Sequence, residues 1–172
     1  MYMSKNAKVL IIMGSDSDFP IVERAINVLK GFSVEVEARV CSAHRTPRMA
    51  SDLASNAQES GVDVIIAAAG KAAHLPGVIA AYTPLPVIGL PIQSSSVGGL
   101  DALLSIVQMP TGIPVATVAL NGAENAALLA VQMISLRDEN LRNEMIAYKE
   151  EMARKVEEKD NALQKKLAGD VM

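Results

Sequence analysis

Residues 62–70 read VDVIIAAAG, a run that is apolar almost without a break and closes on a glycine. Continuous apolar runs rich in β-branched residues are typical of strands buried on both faces of a parallel sheet. The runs VLIIMG (9–14), PVIGLP (86–91) and PVATVAL (114–120) share this pattern. A further run, VEVEARV (34–40), alternates with charged residues, so we expect it near an edge of the sheet. The sequence therefore predicts five strands.

Stretches with apolar residues at helical spacing separate these runs. Asp18 is the predicted N-cap of the first helix, and Gly31 is its predicted end. The apolar face of a later helix is expected to consist of Leu100, Leu103, Leu104 and Val107. Strands that alternate with helices indicate parallel strands joined by right-handed crossovers. We predict an α/β fold, a three-layer sandwich whose central parallel sheet has the flavodoxin-like order 2-1-3-4-5.

Charged residues are spread unevenly along the chain. Of the 35 charged residues, 18 lie within residues 1–136, and the other 17 follow. We therefore predict one domain, with an α/β body at 1–136 and a C-terminal helical arm at 137–172. Apolar residues between Leu141 and Leu167 keep the three- and four-residue spacing of an amphipathic helix. The arm lies either on its own body or across a neighbouring subunit, and the charge-poor body favours the second placement.

Composition excludes several classes of function. The net charge is -3, the pI is about 5.4, and aromatic residues make up 3% of the chain with no tryptophan. Such a chain lacks the basic surface and the stacking side chains that nucleic acids need, and nothing attracts it to an anionic membrane. The single cysteine, Cys41, excludes an intramolecular disulfide, and the first apolar run is too short for a signal peptide. We expect a cytoplasmic protein.

Unusual polar residues follow four of the predicted strands. GSDSD (14–18) follows the first strand, SAHRTP (42–47) the second, GKAAHLPG (70–77) the third and QSSSVGG (93–99) the fourth. In open α/β sheets, ligands bind outside the carboxyl ends of the strands, which all meet at one edge. The four loops are therefore expected to converge on one pocket.

The GSDSD loop has the features of an anion site. A glycine followed by serines at a helix N-terminus offers N–H groups, hydroxyls and the positive end of the helix dipole to a phosphate. Its spacing matches neither of the common glycine-rich nucleotide motifs, and the sequence shows no assembled set of metal ligands. Two interpretations stay open. Either Ser17 or Asp18 only caps the helix, with Asp16 solvated, or the loop holds a phosphate while Asp18 accepts from sugar hydroxyls.

His44 and His74 are the only histidines in the chain, and they lie in neighbouring loops. A lone histidine at a strand end usually makes a structural hydrogen bond. Two histidines in matching loops instead favour a role for both at one bound substrate. Arg45 supplies a planar guanidinium that is suited to bidentate phosphate recognition. Small residues before His74 let a ligand approach the backbone, which suits a carboxylate or CO2. Lys71 is the one charge in that run, and a solvent-facing side chain is the alternative to a role in binding.

These segments together resemble one family. GSDSD, SAHRTP, AGKAAHLPGVIAAYTPLPVIGLP, LDALLSIVQMPTGIPVATVAL and NGAENAALLA are similar, in this order, to the phosphoribosylaminoimidazole carboxylase catalytic subunit family, from about Val9 to about Ile134. Arg45 after the first histidine and the AHLPG segment resemble the bacterial branch, the N5-carboxyaminoimidazole ribonucleotide mutases of purine biosynthesis. Lys71 departs from that branch, which usually has glycine there. If the position requires a positive φ, lysine costs about 1 kcal/mol.

The resemblance implies a function and a site. It implies a homo-octameric mutase, without metal or organic cofactor, that interconverts N5-carboxyaminoimidazole ribonucleotide and 4-carboxy-5-aminoimidazole ribonucleotide. His44 would be its general acid/base and His74 a second catalytic candidate. The expected substrate-binding residues are Gly14, Ser15, Ser17, Asp18, Ser42, Arg45, Gly70, Lys71, Ala72, Ala73 and Leu75.

Two alternatives to the mutase stay open. One is a carboxylase that acts on the aminoimidazole ribonucleotide with free CO2. The other is a nucleotide-binding or signalling module on the same fold. A phospho-acceptor module would need an aspartate at the end of the third strand, where the sequence reads AAAG (67–70), so the residues disfavour that alternative.

Overall fold

Five strands form one parallel sheet in the computed structural model, which describes residues 7–94 and 97–169. In chain order they are β1 (Lys8–Met13), β2 (Glu35–Val40), β3 (Val64–Gly70), β4 (Val87–Ile92) and β5 (Ala116–Thr117). Their order across the sheet, β2-β1-β3-β4-β5, confirms the predicted α/β fold and places β2 at an edge. Because all pairs are parallel, the carboxyl ends of all five strands lie at the same end of the sheet.

Helices connect the strands and also follow β5. They are α1 (Phe19–Gly31), α2 (Pro47–Ser55), α3 (Leu75–Ala80), α4 (Leu100–Val107), α5 (Ala123–Ser135) and α6 (Glu139–Gly169). A short 3-10 turn, Asp16–Asp18, precedes α1. The first helix therefore begins and ends where its apolar spacing predicts.

The centre of the sheet is covered on both faces. Ile11 and Ile12 of β1 are fully buried, and so are Ile65 and Ile66 of β3. Successive side chains of a strand point to opposite faces, so burial of adjacent residues requires helices on both sides. Each such side chain contributes about 1.5–3 kcal/mol through burial. The strands thus form a rigid base from which the four loops project.

The fifth strand is much shorter than predicted. The run PVATVAL predicts a doubly buried strand over 114–120, whereas β5 contains only Ala116 and Thr117, both half-buried. One reason is that β5 lies at an edge of the sheet, where only β4 pairs with it. Pro114 adds to this because proline has no N–H to donate to a neighbouring strand. The prediction of a long, doubly buried fifth strand is wrong.

The apolar face predicted for α4 is not its buried face. Leu100, Leu104 and Val107 are 53%, 48% and 46% exposed, whereas Ile106 is fully buried. The helix is apolar on nearly every side, so spacing alone does not select the face that meets the sheet. We call the exposed residues Val97, Leu100, Leu104 and Val107 the α4 stripe. It is apolar surface that this chain leaves uncovered.

The chain divides between residues 134 and 135 into two compact units. The first contains the sheet with α1 to α4 and nearly all of α5, and the second consists mainly of α6. Exposed large apolar residues along α6 are Ile146, Tyr148, Met152, Val156, Leu163 and Leu167. Among the residues that the structure describes, no helix is both long and apolar enough to cross a membrane.

Candidate active site

The GSDSD segment forms a compact turn after β1. The Gly14 N–H donates to the Ala68 carbonyl at 3.1 Å, which joins the turn to β3. Ser15 Oγ accepts from the Ser17 N–H at 3.3 Å and from the Ser17 hydroxyl at 2.8 Å. The Asp16 carboxylate accepts from the same N–H and from the Ser15 hydroxyl. The two hydroxyls therefore lie together beside the Asp16 carboxylate.

Asp18 is buried at the N-cap position of α1, but its side chain makes no capping hydrogen bond. Neither does Ser17 cap α1, and the side chain that caps is Ser15, at the start of the 3-10 turn. The capping interpretation of Asp18 is therefore wrong. Burial raises the pKa of the Asp18 carboxyl, the backbone of Ser15 lowers it, and the charge of Asp16 raises it again. A hydrogen bond from a hydroxyl donor, such as that of a sugar, would stabilise the charged form of a buried carboxylate of this kind.

The SAHRTP segment holds His44 at the tip of a closed turn. The Thr46 N–H and hydroxyl both donate to the Ser42 carbonyl, at 2.7 and 2.9 Å. Ser42 Oγ accepts from the Arg45 N–H at 3.3 Å. These bonds fix the backbone on both sides of His44, while its exposed imidazole makes no hydrogen bond to any residue in 7–94 or 97–169. A structural role through hydrogen bonding does not fit this histidine.

Arg45 joins the first two loops. Its Nη2 donates to the Gly14 carbonyl at 3.4 Å, and the rest of the exposed guanidinium keeps N–H donors for an anion. Leu75 approaches Gly14 from the β3 side, since a Cβ built on Gly14 would lie 3.9 Å from Leu75 Cδ2. Gly14 is therefore the point where three loops meet, as expected from the position of β1 between β2 and β3.

The loop after β3 consists of small residues and one lysine. β3 ends at Gly70, and Lys71, Ala72 and Ala73 lead towards α3. Gly70 lies against β4, because a Cβ there would be 3.4 Å from the Ile92 carbonyl oxygen. Lys71 is exposed and has a φ of 56°, in the left-handed region. The condition under which lysine is costly at this position is therefore met.

His74 is held differently from His44. Its Nδ1 hydrogen-bonds to the Ser105 carbonyl of α4. Because a carbonyl only accepts, Nδ1 carries a hydrogen and donates it in this bond. The half-buried ring lies over Gly77, where an added Cβ would fall 1.9 Å from Nε2. Neither Ser105 nor Gly77 is predicted as part of the site, although a glycine inside a helix is a signal of close packing.

The fourth loop is described only at its ends. Ser95 and Ser96 of the QSSSVGG segment lie outside the described residues. The first three loops come together at Gly14, but no hydrogen bond joins the imidazoles of His44 and His74. Within residues 7–94 and 97–169, no three His, Cys, Asp or Glu side chains are grouped so that they could hold a metal ion.

Two cavities of the chain lie away from these loops. One, of about 390 Å³, is lined by residues of β1, β2 and α2 and by the turns that follow α2. The other, of about 680 Å³, is lined by residues 80–87 and 112–114. Neither contains a residue predicted for the site. The described residues of the four loops therefore do not line either cavity, and the side chains of His44 and Arg45 are exposed.

Known proteins match the chain over most of its length. The model of the AIR carboxylase family matches residues 8–155. The N5-carboxyaminoimidazole ribonucleotide mutase of Pyrococcus horikoshii is 53% identical over 161 residues, covering 94% of this chain and 91% of that protein. The chloroplastic phosphoribosylaminoimidazole carboxylase of Vigna aconitifolia is 52% identical over 154 residues, covering 90% of this chain and 28% of that protein. The crystal structure of Treponema denticola PurE is 32% identical, with a TM-score of 0.83 over 92% of this chain and 99% of that chain.

Proposed function

The chain belongs to the AIR carboxylase family, and from that premise we propose that it is a mutase of purine biosynthesis. Its reaction interconverts N5-carboxyaminoimidazole ribonucleotide and 4-carboxy-5-aminoimidazole ribonucleotide. The observation that carries this proposal is the hydrogen bond from Arg45 to the Gly14 carbonyl, which holds the exposed His44 loop beside the hydroxyl-rich loop after β1. A nucleotide anchored at that second loop would present its base to His44.

The nucleotide's 5′-phosphate is assigned to the loop after β1. The hydroxyls of Ser15 and Ser17 lie 2.8 Å apart, and the Arg45 guanidinium reaches the same loop. Hydrogen bonds from arginine to phosphate are charge-assisted and therefore strong. Asp18 accepts from the ribose hydroxyls, which would favour the ionised form of its buried carboxyl.

The carboxylate end of the substrate is assigned to the loops after β2 and β3. Ser42 contributes its hydroxyl, and the backbone from Gly70 to Ala73 contributes N–H groups that no bulky side chain covers. Leu75 supplies an apolar wall that would favour CO2 over a charged carboxylate. Lys71 brings a positive charge to the edge of this end of the site.

The chemistry requires one group that gives and takes a proton. The carbamate C–N bond breaks, CO2 leaves, and the nitrogen takes a proton. Ring carbon C4 then attacks the trapped CO2 and afterwards loses its own proton, so the two transfers cancel over the cycle. Histidine alone has an unperturbed pKa near neutrality, which makes it suited to both transfers. His44 takes this role because its imidazole is exposed and unpaired in the described structure.

His74 is the second catalytic candidate. The Ser105 carbonyl fixes its ring through Nδ1, and its Nε2 lies against Gly77. A ring held on both sides keeps one orientation, which suits a fixed contact better than a mobile proton carrier. We assign it to the CO2 side of the pocket.

Assembly into a homo-octamer completes the proposal. The α4 stripe and the exposed apolar residues of α6 are surfaces that a neighbouring copy could cover. The outward-facing loops also fit a pocket that is closed near a subunit junction. The helical arm would then be part of the oligomer interface.

A carboxylase that uses free CO2 is the second candidate, because the Vigna relative carries that name. An equilibrium assay separates the two. The purified protein is incubated with either carboxylated nucleotide, without ATP and without added bicarbonate. Interconversion under these conditions supports the mutase. Activity on the aminoimidazole ribonucleotide only when bicarbonate is added supports the carboxylase, and no conversion in either case contradicts both.

A further inference from the structure

Asn121 lies in the turn between β5 and α5, outside every site considered so far. Its side chain holds Gln93 by two hydrogen bonds: Oδ1 accepts from the Gln93 N–H at 2.9 Å, and Nδ2 donates to Gln93 Oε1 at 3.3 Å. The Asn121 N–H donates to the Pro91 carbonyl at 2.9 Å. This residue therefore ties down the end of β4 and the first residue of the loop that follows.

Asn121 is itself fixed from the other side. Its carbonyl accepts from Arg24 Nη2 of α1 at 2.8 Å, and Arg24 forms an ion pair with Glu124 of α5 at 3.4 Å. The φ of Asn121 is 54°, in the left-handed region that asparagine tolerates better than most residues. A strained conformation persists only where the surroundings determine it, and such positions cluster at functional sites.

The loop after β4 lies at the end of the sheet where the strands finish, which is also the end of the proposed site. Gln93 follows β4, which pairs with β3. At the other end of the loop, a Cβ on Gly99 would lie 2.7 Å from Leu120 Cδ2 and 3.1 Å from the Gln93 Cα. Both described ends of the loop thus contact each other and the turn that contains Asn121.

Ser94, next to the held residue, has an unsatisfied hydroxyl. Its oxygen is buried and has no hydrogen-bond partner in the part of the chain that the structure describes. A buried hydroxyl without a partner costs free energy, so a ligand that supplied the missing hydrogen bond would gain affinity from it. The position of Ser94 depends on the two bonds that hold Gln93.

We propose that Asn121 is a positioning residue that fixes Gln93 and Ser94, the first two residues after β4, before the nucleotide binds. The inference rests on the proposed function and adds a residue to it. Residues that are already held in place save the entropy cost of fixing them at binding. Loss of the Asn121 side chain should therefore weaken substrate binding, whereas proton transfer at His44, on a different loop, should continue.

The test compares Asn121→Gly with Asn121→Asp. Glycine removes the side chain and accepts the left-handed backbone without strain, whereas aspartate keeps the oxygen that accepts from the Gln93 N–H. For Asn121→Gly we expect KM for N5-carboxyaminoimidazole ribonucleotide to rise about tenfold with kcat within about twofold of wild type. Asn121→Asp should recover a KM close to wild type.

Ser33→Gly is the matched control. Ser33 also has a positive φ, 55°, but lies between α1 and β2, at the opposite edge of the sheet. The variant Ser33→Gly should change the thermal stability of the protein without changing KM for the nucleotide. An unchanged KM in Asn121→Gly would overturn the inference, as would a fall in kcat alone or an equal defect in Asn121→Asp.

Hydrogen exchange tests the same inference without catalysis. The backbone amide of Gln93 should exchange faster in Asn121→Gly than in wild type or Asn121→Asp, because its acceptor is removed. Equal exchange rates would overturn the inference. A wild-type protein that does not interconvert the nucleotides would instead contradict the proposed function, and the exchange rates would still decide whether Asn121 holds the loop.

Discussion

His44 and His74 occupy equivalent positions in the loops after β2 and β3, the strands on either side of β1, but their environments differ. His44 stands exposed on a turn that Ser42 and Thr46 close, whereas His74 is half-buried and donates to the Ser105 carbonyl. A group that exchanges protons with a substrate needs a free nitrogen and room to approach, and His44 has both. These surroundings favour His44 over His74 for the proton transfer that we propose, because the His74 ring is held in one orientation.

Replacing Lys71 by glycine should stabilise the protein. Lys71 has a left-handed φ of 56°, which costs about 1 kcal/mol for a residue with a Cβ. We expect the free energy of unfolding in urea to rise by about 1 kcal/mol in Lys71→Gly with an unchanged m-value. Lys71→Ala is the matched control, since it removes the charge but keeps the Cβ. Equal stability of the two variants would contradict the strain at this position.

Asp18 should make the protein less stable as pH rises through the acid range. Burial is the largest cause that raises the pKa of its carboxyl above the ordinary value, so the folded state binds the proton more tightly than the unfolded state. The resulting stabilisation is complete below the unfolded pKa of an aspartate and is lost as pH rises through the folded pKa. In Asp18→Asn this dependence is absent.

The measurement is urea unfolding of wild type and Asp18→Asn at pH values from about 3 to about 7. The stability of Asp18→Asn relative to wild type should increase with pH. Asp52→Asn, at an exposed aspartate of α2, is the control and should show no such trend. A relative stability that stays flat or falls with pH would contradict the buried state of Asp18.

Helix α3 depends on a glycine that helix propensity disfavours. Gly77 lies under the His74 ring, and a Cβ there would sit 1.9 Å from Nε2. Gly77→Ala should therefore cost about 1–3 kcal/mol through overpacking and displace His74. In a His74→Ala background the clash is gone, and the same change should stabilise by up to about 1 kcal/mol because alanine favours a helix.

A double-mutant cycle in urea measures this coupling between Gly77 and His74. The single variant Gly77→Ala should also lose activity, whereas the double variant should be at least as stable as His74→Ala alone. If Gly77→Ala had the same effect in both backgrounds, the ring would not lie over the glycine.

Apolar patterning predicted the elements better than their faces and lengths. β1, β3 and β4 coincide with continuous apolar runs, because strands buried on both faces leave no polar position. β5 has the same composition but lies at an edge, and composition does not report how many neighbours a strand has. The buried face of α4 could not be predicted either, since the helix is apolar on nearly every side and its spacing selects no single face.

The same limit applies to the candidate site. The placement of His44, Arg45 and Lys71 at one end of the sheet could be predicted, because topology alone brings the loops after the strands to that end. Gly77 and Asn121 could not, because their roles depend on side-chain contacts between segments far apart in sequence. Candidate site residues can therefore be located from the sequence, whereas the residues that hold them in position can be identified only from the packed structure.

Exposed apolar surface on the whole chain indicates self-association. Leu104, in the middle of the α4 stripe, is 48% exposed. Leu104→Lys should break the proposed octamer into smaller assemblies, because a charge cannot be buried unpaired in an interface without a large cost. Light scattering after gel filtration measures the mass. Leu104→Ile keeps the apolar surface and should assemble as wild type, and an octamer in both variants would contradict a role for this stripe.

The replacement of His44 by asparagine tests the central claim most directly. Interconversion of the two carboxylated nucleotides is measured without ATP or bicarbonate, and binding of the product nucleotide is measured by calorimetry on the same protein. We predict that kcat falls by about 10²- to 10⁴-fold, the usual contribution of a general acid/base, while the nucleotide still binds. Normal turnover by His44→Asn would contradict the account, since the proton at C4 would then be moved by another group.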